Sequence, residues 1–159
     1  MTSAGRATAP GAPGHGDAGH SQVVELTFPR GPDLMFLARM TGAAVASRAG
    51  FGIDQVEDLR LAIDELCLTV AGDGPGDGSR LRLCFDWSDE AIRVEGVLEP
   101  GPDATAAPGP ATGGAGDVPS AAELSERILD ALVDEHGAEH EHEHGATRVW
   151  MVLRRHTAS

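Results

Sequence analysis

The feature that most constrains the fold of this chain is the stretch of residues 50–70, GFGIDQVEDLRLAIDELCLTV. Asp54 stands where an N-cap residue is expected, and Glu57 three residues later completes the capping-box pattern that starts a helix. Apolar side chains then recur at the spacing of one helix face: Val56, Leu59, Ile63, Leu66, Cys67 and Val70. Asp64 and Glu65 interrupt this stripe. Because burying an unpaired carboxylate is costly, the acidic pair is a candidate functional site.

The composition of the chain limits the chemistry that it can perform. Its 159 residues, 41% of them hydrophobic, suit one globular domain with a core. The net charge of −13 argues against a direct nucleic-acid partner, and no apolar run is long enough to span a bilayer. Lysine and tyrosine are absent from the sequence, which excludes a P-loop lysine, a Schiff-base lysine and tyrosine acid–base chemistry. No secretory signal begins the chain, so we expect a cytoplasmic protein.

The rest of the chain alternates between short periodic segments and segments rich in glycine and proline. Strands are predicted over residues 23–28, 80–87, 91–98 and 147–153. One helix is predicted over residues 32–49, and after the breaks at Gly50 and Gly52 a second runs from its N-cap Asp54 to residue 70. A third runs from a second capping box at Ser120 and Glu123 to about residue 135. This order predicts an α+β two-layer sandwich, with three helices on one face of a mostly antiparallel sheet.

Three segments are expected to lie outside these elements. Residues 1–21 have no periodicity and are predicted to be a disordered tail before a domain over residues 22–156. A disordered insert is expected at about residues 99–118, and a His/Glu-rich loop over residues 136–145. That loop holds His136, His140, His142 and His144. Its composition can bind zinc, nickel or copper, but it is also typical of a solvated loop.

Two smaller observations concern the core and the surface. Cys67 and Cys84 lie in apolar segments and are expected to be small core residues without a disulfide. On the first predicted helix, the face expected to be buried holds Leu34, Leu37, Thr41, Ala44 and Val45. Apolar side chains also occur on other sides of this helix, around Met35, Phe36, Arg39 and Met40. Such a helix packs either on the core alone or on both the core and a partner protein.

The element order, together with the segments GFGIDQVEDLRLAIDEL and ILDALVDEH, resembles the anti-sigma-factor serine/threonine kinase family. These proteins are small regulators with the histidine kinase/Hsp90-like ATPase fold, and the resemblance covers roughly residues 22–155. It implies a cytoplasmic protein of transcription regulation that holds a sigma factor and releases it when an anti-anti-sigma (antagonist) protein binds. Active members phosphorylate a serine of the antagonist with ATP and Mg²⁺, and members often form homodimers.

The resemblance also implies roles for individual residues on the second helix. In the family, a glutamate on this helix acts as the base, and an asparagine four residues later binds the magnesium ion that bridges the ATP phosphates. Glu65 matches the glutamate, which makes it the candidate catalytic residue. Thr69 stands at the position of the asparagine, and its hydroxyl is a shorter and poorer magnesium ligand than a carboxamide.

Two other nucleotide motifs of the family are altered. The aspartate that recognises adenine corresponds to Gly96, with Glu99 and Gly101 nearby as an acidic-x-Gly substitute. The glycines of the family's phosphate-binding loop correspond to Glu123 and Ser125. Glycine matters in such a loop because the backbone N–H groups must approach the phosphates closely. Thr69, Glu99 and Gly101 are therefore the candidate cofactor-binding residues.

These comparisons of residues lead to two hypotheses. The first is an anti-sigma-factor-like regulator that acts by protein–protein binding (partner switching), in which nucleotide binding is weak or lost. The alternative is an active ATP-dependent serine kinase that phosphorylates an anti-anti-sigma protein, with its ligands moved to Thr69, Glu99 and the insert.

Overall fold

The structure is a computed structural model that describes residues 21–71, 78–101, 121–141 and 146–156. Residues 1–20 of the predicted tail and most of the predicted insert lie outside the described residues, as does Ser120 of the second capping box. The elements, in chain order, are β1 (Gln22–Pro29), a short 3-10 helix (Pro32–Leu34), α1 (Met35–Arg48), α2 (Ile53–Ala71), β2 (Arg80–Trp87), β3 (Ala91–Glu99), α3 (Ala121–Leu132), β4 (Glu135–Glu141) and β5 (Ala146–Arg154).

Among the described residues, five strands form one antiparallel sheet in the order β1-β2-β3-β5-β4. α2 lies over β2, β3 and β5, α1 packs on α2 and β2, and α3 packs on α2 and β4. The predicted α+β sandwich, with three helices on one face of the sheet, is therefore confirmed. None of the helices among the described residues is both long and apolar enough to cross a membrane.

The strict alternation of β2 divides the sheet into a covered face and an open face. Leu81, Leu83 and Phe85 point toward the helices and are at most 1% exposed. Their neighbours point to the open face, where an Arg93 guanidinium lies 4.6 Å from the ring centre of Trp150 on β5. One buried face and one polar face are typical of an antiparallel sheet with helices on a single side.

The turn between α1 and α2 explains why α2 begins earlier than the sequence indicated. Gly50 has a φ of +79°, and the Phe51 N–H donates to the Ala46 carbonyl at 3.0 Å, as in a Schellman motif. Because this turn is so short, helical hydrogen bonding starts with the Val56 N–H and the Gly52 carbonyl. Asp54 therefore lies inside the first turn, and the N-cap role predicted for it was wrong.

The predicted buried face of α2 is confirmed, and the face buried by α1 is a different one from that expected. On α2, the fully buried side chains include Leu59, Ile63, Leu66 and Cys67. On α1, the buried residues are small: Ala38, Gly42, Val45 and Ala46. A Cβ placed on Gly42 would lie 2.2 Å from the Cδ1 atom of Ile63, so the close approach of the two helices requires small residues there.

Two other expectations were wrong in part. Of the segment predicted as a His/Glu-rich loop, residues 142–145 lie outside the described residues, and residues 136–141 lie in strand β4 (Glu135–Glu141), which pairs with β5. Its polar residues are tolerated because β4 is an edge strand, and pairing with β5 overrides their low strand propensity. Both cysteines are free, but only Cys67 is a core residue, since Cys84 is half-buried on the open face.

Candidate functional site

The structure brings Glu65 of α2 into contact with Ser125 of α3. Ser125 Oγ donates a hydrogen bond of 2.8 Å to Glu65 Oε2, and both residues are half-buried. On α3, Ser125 lies one turn before Leu129, which is 3% exposed, so the same helix face carries the anchor and the hydroxyl. On α2, Glu65 lies beside the buried Leu66 and Cys67, at the border of the buried stripe.

Thr69 lies one turn after Glu65 and is exposed. Its Oγ1 hydroxyl donates a hydrogen bond of 2.8 Å to the Glu65 backbone carbonyl. This back-bonding within a helix is the usual arrangement for threonine at such a position, and it turns the hydroxyl toward its own backbone. The candidate magnesium ligand is thus engaged by α2 itself.

Gly96, at the position of the adenine-recognising aspartate, faces the buried side chains of α2. A Cβ at Gly96 would lie 2.7 Å from Leu66 Cδ2, 3.2 Å from Leu83 Cδ2 and 3.3 Å from Val70 Cγ2. These side chains fill the space above β3, so even a methyl group would require them to move. No side chain of the size of an aspartate fits at this position.

Glu99 and Gly101 lie where β3 ends, and each has a protein neighbour. Glu99 Oε1 is 3.0 Å from Arg82 Nε on β2, although the N–H does not point along a hydrogen bond. A Cβ at Gly101 would lie 2.4 Å from the carbonyl oxygen of Gly78, so this glycine permits two backbone segments to approach each other. The structure therefore places Glu99 and Gly101 in contacts that maintain the end of the β2–β3 hairpin.

The contacts of Thr69, Gly96 and Glu99 limit how ATP and Mg²⁺ fit the described part of the candidate site. Thr69 and Glu99 both have protein partners, and the room over Gly96 is filled by Leu66 and Val70. Thr69 offers magnesium a hydroxyl oxygen that is held against the α2 backbone, in place of the carboxamide oxygen of the family. Among the described candidates, Thr69 and Glu99 are thus engaged by the protein itself, and an aspartate side chain has no room at Gly96.

Asp64, the other member of the acidic pair, joins α2 to α1. Its carboxylate oxygens lie 3.4 Å from Nε and from a terminal nitrogen of Arg39. Burial raises the pKa of Asp64, and the neighbouring charge of Glu65 raises it further, while Arg39 and Arg60 lower it. The desolvation of the carboxyl outweighs the attraction of Arg39.

α1 carries large apolar side chains on the side opposite its small buried residues. Phe36 is 49% exposed and Met40 is 60% exposed, and Arg39 lies between them in sequence. We call the surface formed by Phe36, Arg39 and Met40 the α1 outer face. Apolar side chains of this size gain little by remaining in water, so a cluster of them next to a charge is typical of a protein-binding surface.

In the His/Glu-rich segment, His136 of β4 contacts an acidic residue of α3. His136 Nε2 lies 2.9 Å from Asp130 Oδ1 on α3. Over the ranges that the structure describes, no group of three or more His, Cys, Asp or Glu side chains is arranged to hold a metal ion. His142 and His144 lie outside the described residues, and metal binding by them stays a prediction.

Two contacts of the site were not expected from the sequence. The inward orientation of Ser125 could have been anticipated from its position one turn before the apolar Leu129, but its partner Glu65 could not. The Arg39–Asp64 pair gave no such signal, because the sequence does not indicate which of its many exposed acids an arginine meets.

Comparison with known proteins supports the resemblance at a modest level. The chain is 25% identical over 73 residues to Serine-protein kinase RsbW of Halalkalibacterium halodurans, and the match covers 46% of this chain and 45% of that protein. It is 39% identical over 75 residues to Serine-protein kinase RsbW of Bacillus velezensis, covering 47% of each. The chain thus spans about half the length of these curated relatives, and no family model matches it.

A solved structure shows the same fold. The RsbU and RsbW domains of Rv1364c from Mycobacterium tuberculosis match with a TM-score of 0.58 at 14% identity, over 87% of this chain and 34% of that chain. The chain therefore has the α+β fold of an RsbW-type domain, the histidine kinase/Hsp90-like ATPase fold. Its homologues include proteins named Serine-protein kinase RsbW.

Proposed function

We propose that this protein is an anti-sigma-factor-like regulator that acts by binding other proteins. The observation that carries the proposal is the α1 outer face, where Phe36 and Met40 are exposed, whereas the buried side of α1 consists of small residues. The partners are a sigma factor, an anti-anti-sigma (antagonist) protein, or both in turn. Similarity to RsbW over about half the chain supports this class of partner.

The α1 outer face has the composition of an energetically important contact. Phe36 and Met40 provide apolar area, and Arg39, which lies between them in sequence, adds a directed charge. Residues of these types carry much of the binding energy at protein interfaces. The guanidinium of Arg39 is already oriented by Asp64, which limits the entropy lost when a partner binds. The net charge of −13 favours partners with a basic surface.

We also propose that nucleotide binding is weak or lost. The protein contacts of Thr69 and Glu99, and the packing of Leu66 over Gly96, support this statement. Glu65 remains as a carboxylate at the position of the family's base. The name of the relatives, serine-protein kinase, is what favours the alternative of an active kinase.

The first experiment measures binding of the purified full chain to candidate sigma factors and antagonist proteins by isothermal titration calorimetry. We expect one of the two classes to bind and the double variant Phe36→Ala/Met40→Ala to lower the affinity at least tenfold without lowering the melting temperature. Ile53→Ala is the matched control, because Ile53 is 83% exposed and lies outside the α1 outer face. Absence of binding by both classes, or equal binding by the double variant, would refute the proposal.

The second experiment separates the binding module from the kinase. We expect that ATP with Mg²⁺ will leave the melting temperature unchanged, because a ligand stabilises a protein only when it binds the folded state. A clear stabilisation that is lost in Glu65→Ala and in Thr69→Ala would support the kinase instead. Sedimentation of the same samples tests whether the protein forms the homodimer that the resemblance implies.

A further inference from the structure

The contact between Ser125 and Glu65 has the arrangement of a general base with the hydroxyl group that it activates. A serine O–H directed at a carboxylate oxygen at 2.8 Å is the arrangement in which a carboxylate orients or deprotonates a hydroxyl. In the active members of the family that the sequence resembles, the counterpart of Glu65 orients or deprotonates the hydroxyl of a serine on the antagonist protein. In this chain, the hydroxyl in that position comes from the chain's own α3.

We propose that Ser125 is an internal mimic of an acceptor serine, which occupies Glu65 until the hydroxyl of a partner protein displaces it. The inference rests on the proposed function, because it concerns how a partner reaches the same site. It assigns a role to α3: the helix closes the Glu65 position in the unbound protein. Binding of a partner at Glu65 then requires that Ser125 give up its hydrogen bond.

The surroundings of the contact indicate which kind of segment could replace Ser125. Leu61 and Leu68 lie one turn before and after Glu65 on α2 and are 54% and 41% exposed. Leu124, next to Ser125 on α3, is 50% exposed. These exposed leucines lie within one turn of Glu65 or Ser125 along their helices, and such apolar neighbours suit a protein segment that presents a serine or threonine hydroxyl between apolar residues.

The attachment of α3 makes such an exchange mechanically reasonable. The C-terminal half of α3 is anchored by Leu129 and Val133, which are 3% and 9% exposed. Ser125 lies in the N-terminal half, where Glu123 and Leu124 are exposed. Displacement of Ser125 therefore leaves the anchored half of the helix in place.

The test measures how accessible the Glu65 carboxylate is to carbodiimide coupling with glycine ethyl ester, followed by mass spectrometry of the full chain. We expect Ser125→Ala to increase the coupling rate of Glu65 at least threefold relative to Glu57, the internal reference on the same helix. Ser125→Thr retains a hydroxyl and is expected to remain close to the wild type. Ser47→Ala removes an exposed serine of α1 and is expected to change nothing.

A second measurement excludes a merely structural role for Ser125. Hydrogen exchange of residues 121–132 and the urea unfolding midpoint are compared between the wild type and Ser125→Ala. An unchanged coupling rate of Glu65 in Ser125→Ala would overturn the proposal. It would also be overturned if α3 lost its exchange protection in that variant, because the hydroxyl would then only hold the helix in place.

Binding to a partner gives the functional arm of the test. For a partner found to bind in the calorimetric experiment, we expect Ser125→Ala to increase the affinity about tenfold, the scale of one hydrogen bond to a charged acceptor. An affinity that does not change would contradict the mimic. If no partner binds, the proposed function fails, whereas the coupling and exchange measurements still decide whether Ser125 covers Glu65.

Discussion

α1 and α2 lie against each other, yet they use their large and small residues in opposite ways. α2 buries Leu59, Ile63 and Leu66 and forms the centre of the core. α1 buries mainly alanine and glycine and leaves Phe36 and Met40 exposed. The difference shows that the contact of α1 with α2 depends mainly on small residues that let the two helices approach closely. Phe36 and Met40 are therefore not explained by packing in the core, and this is the physical argument for a binding surface.

The largest expected effect comes from truncating the core face of α2. Leu59→Ala is expected to lower the free energy of unfolding by about 3 kcal/mol, because it removes buried methyl groups and leaves a cavity. Leu61→Ala makes the same chemical change on the same helix at a side chain that is 54% exposed. That variant is expected to remain within about 0.5 kcal/mol of the wild type in urea unfolding. Equal losses for the two variants would contradict the division of α2 into a buried and an exposed side.

The next largest effect is expected where α1 approaches α2. Gly42→Leu places a side chain against Ile63, where a Cβ alone would come within 2.2 Å of Cδ1, and overpacking of this kind costs about 2 kcal/mol. Ala44→Leu, on the exposed side of α1, is the matched control and is expected to have little effect on the urea midpoint. The pair also decides the orientation of α1, because the sequence had placed Ala44 on the buried face. A larger loss for Ala44→Leu would restore that first interpretation.

The fold could be predicted from the sequence wherever the apolar residues of a segment followed a single periodicity. The apolar spacing of α2 and the alternation of β2 left no competing arrangement, so their positions were expected to within a few residues. β4 could not be predicted, because its polar residues become a strand only through pairing with β5. The buried face of α1 was missed for a related reason: alanine and glycine carry no hydrophobic signal, although they are what a close helix contact requires.

The candidate site was predictable to a smaller extent. Glu65 was identified from its place in an apolar stripe and from the resemblance. Its partner Ser125 lies 60 positions away in sequence, and only the packing of α3 on α2 brings the two together. The packing of Leu66 and Val70 over Gly96 is likewise a tertiary fact, since a glycine in a strand pattern does not indicate which side chains approach it.

The smallest expected effect tests the ion pair that joins the two helices on their outer side. Burial raises the pKa of Asp64, so the folded state disfavours the ionised carboxyl more than the unfolded chain does. The free energy of unfolding of the wild type, relative to that of Asp64→Asn, should therefore fall as the pH rises above 3.8, the pKa of the carboxyl in the unfolded chain. Below that pH, the difference in free energy of unfolding between the two proteins should be constant. At pH 7 the variant is expected to be equal to the wild type or more stable by less than about 1 kcal/mol, because Asp64 and Arg39 are partly solvated.

Urea unfolding of wild type and Asp64→Asn between pH 3 and pH 7 measures this effect, with Asp54→Asn on the exposed first turn of α2 as the control. A variant that is clearly less stable than the wild type at pH 7 would show that attraction to Arg39 outweighs desolvation. The ion pair would then fasten α1 to α2 in the folded state. If the variant is as stable as the wild type, the pair contributes nothing to folding, and its remaining use is to hold the Arg39 guanidinium in place on the α1 outer face. Asp64→Asn should in that case weaken partner binding while leaving the unfolding curve unchanged.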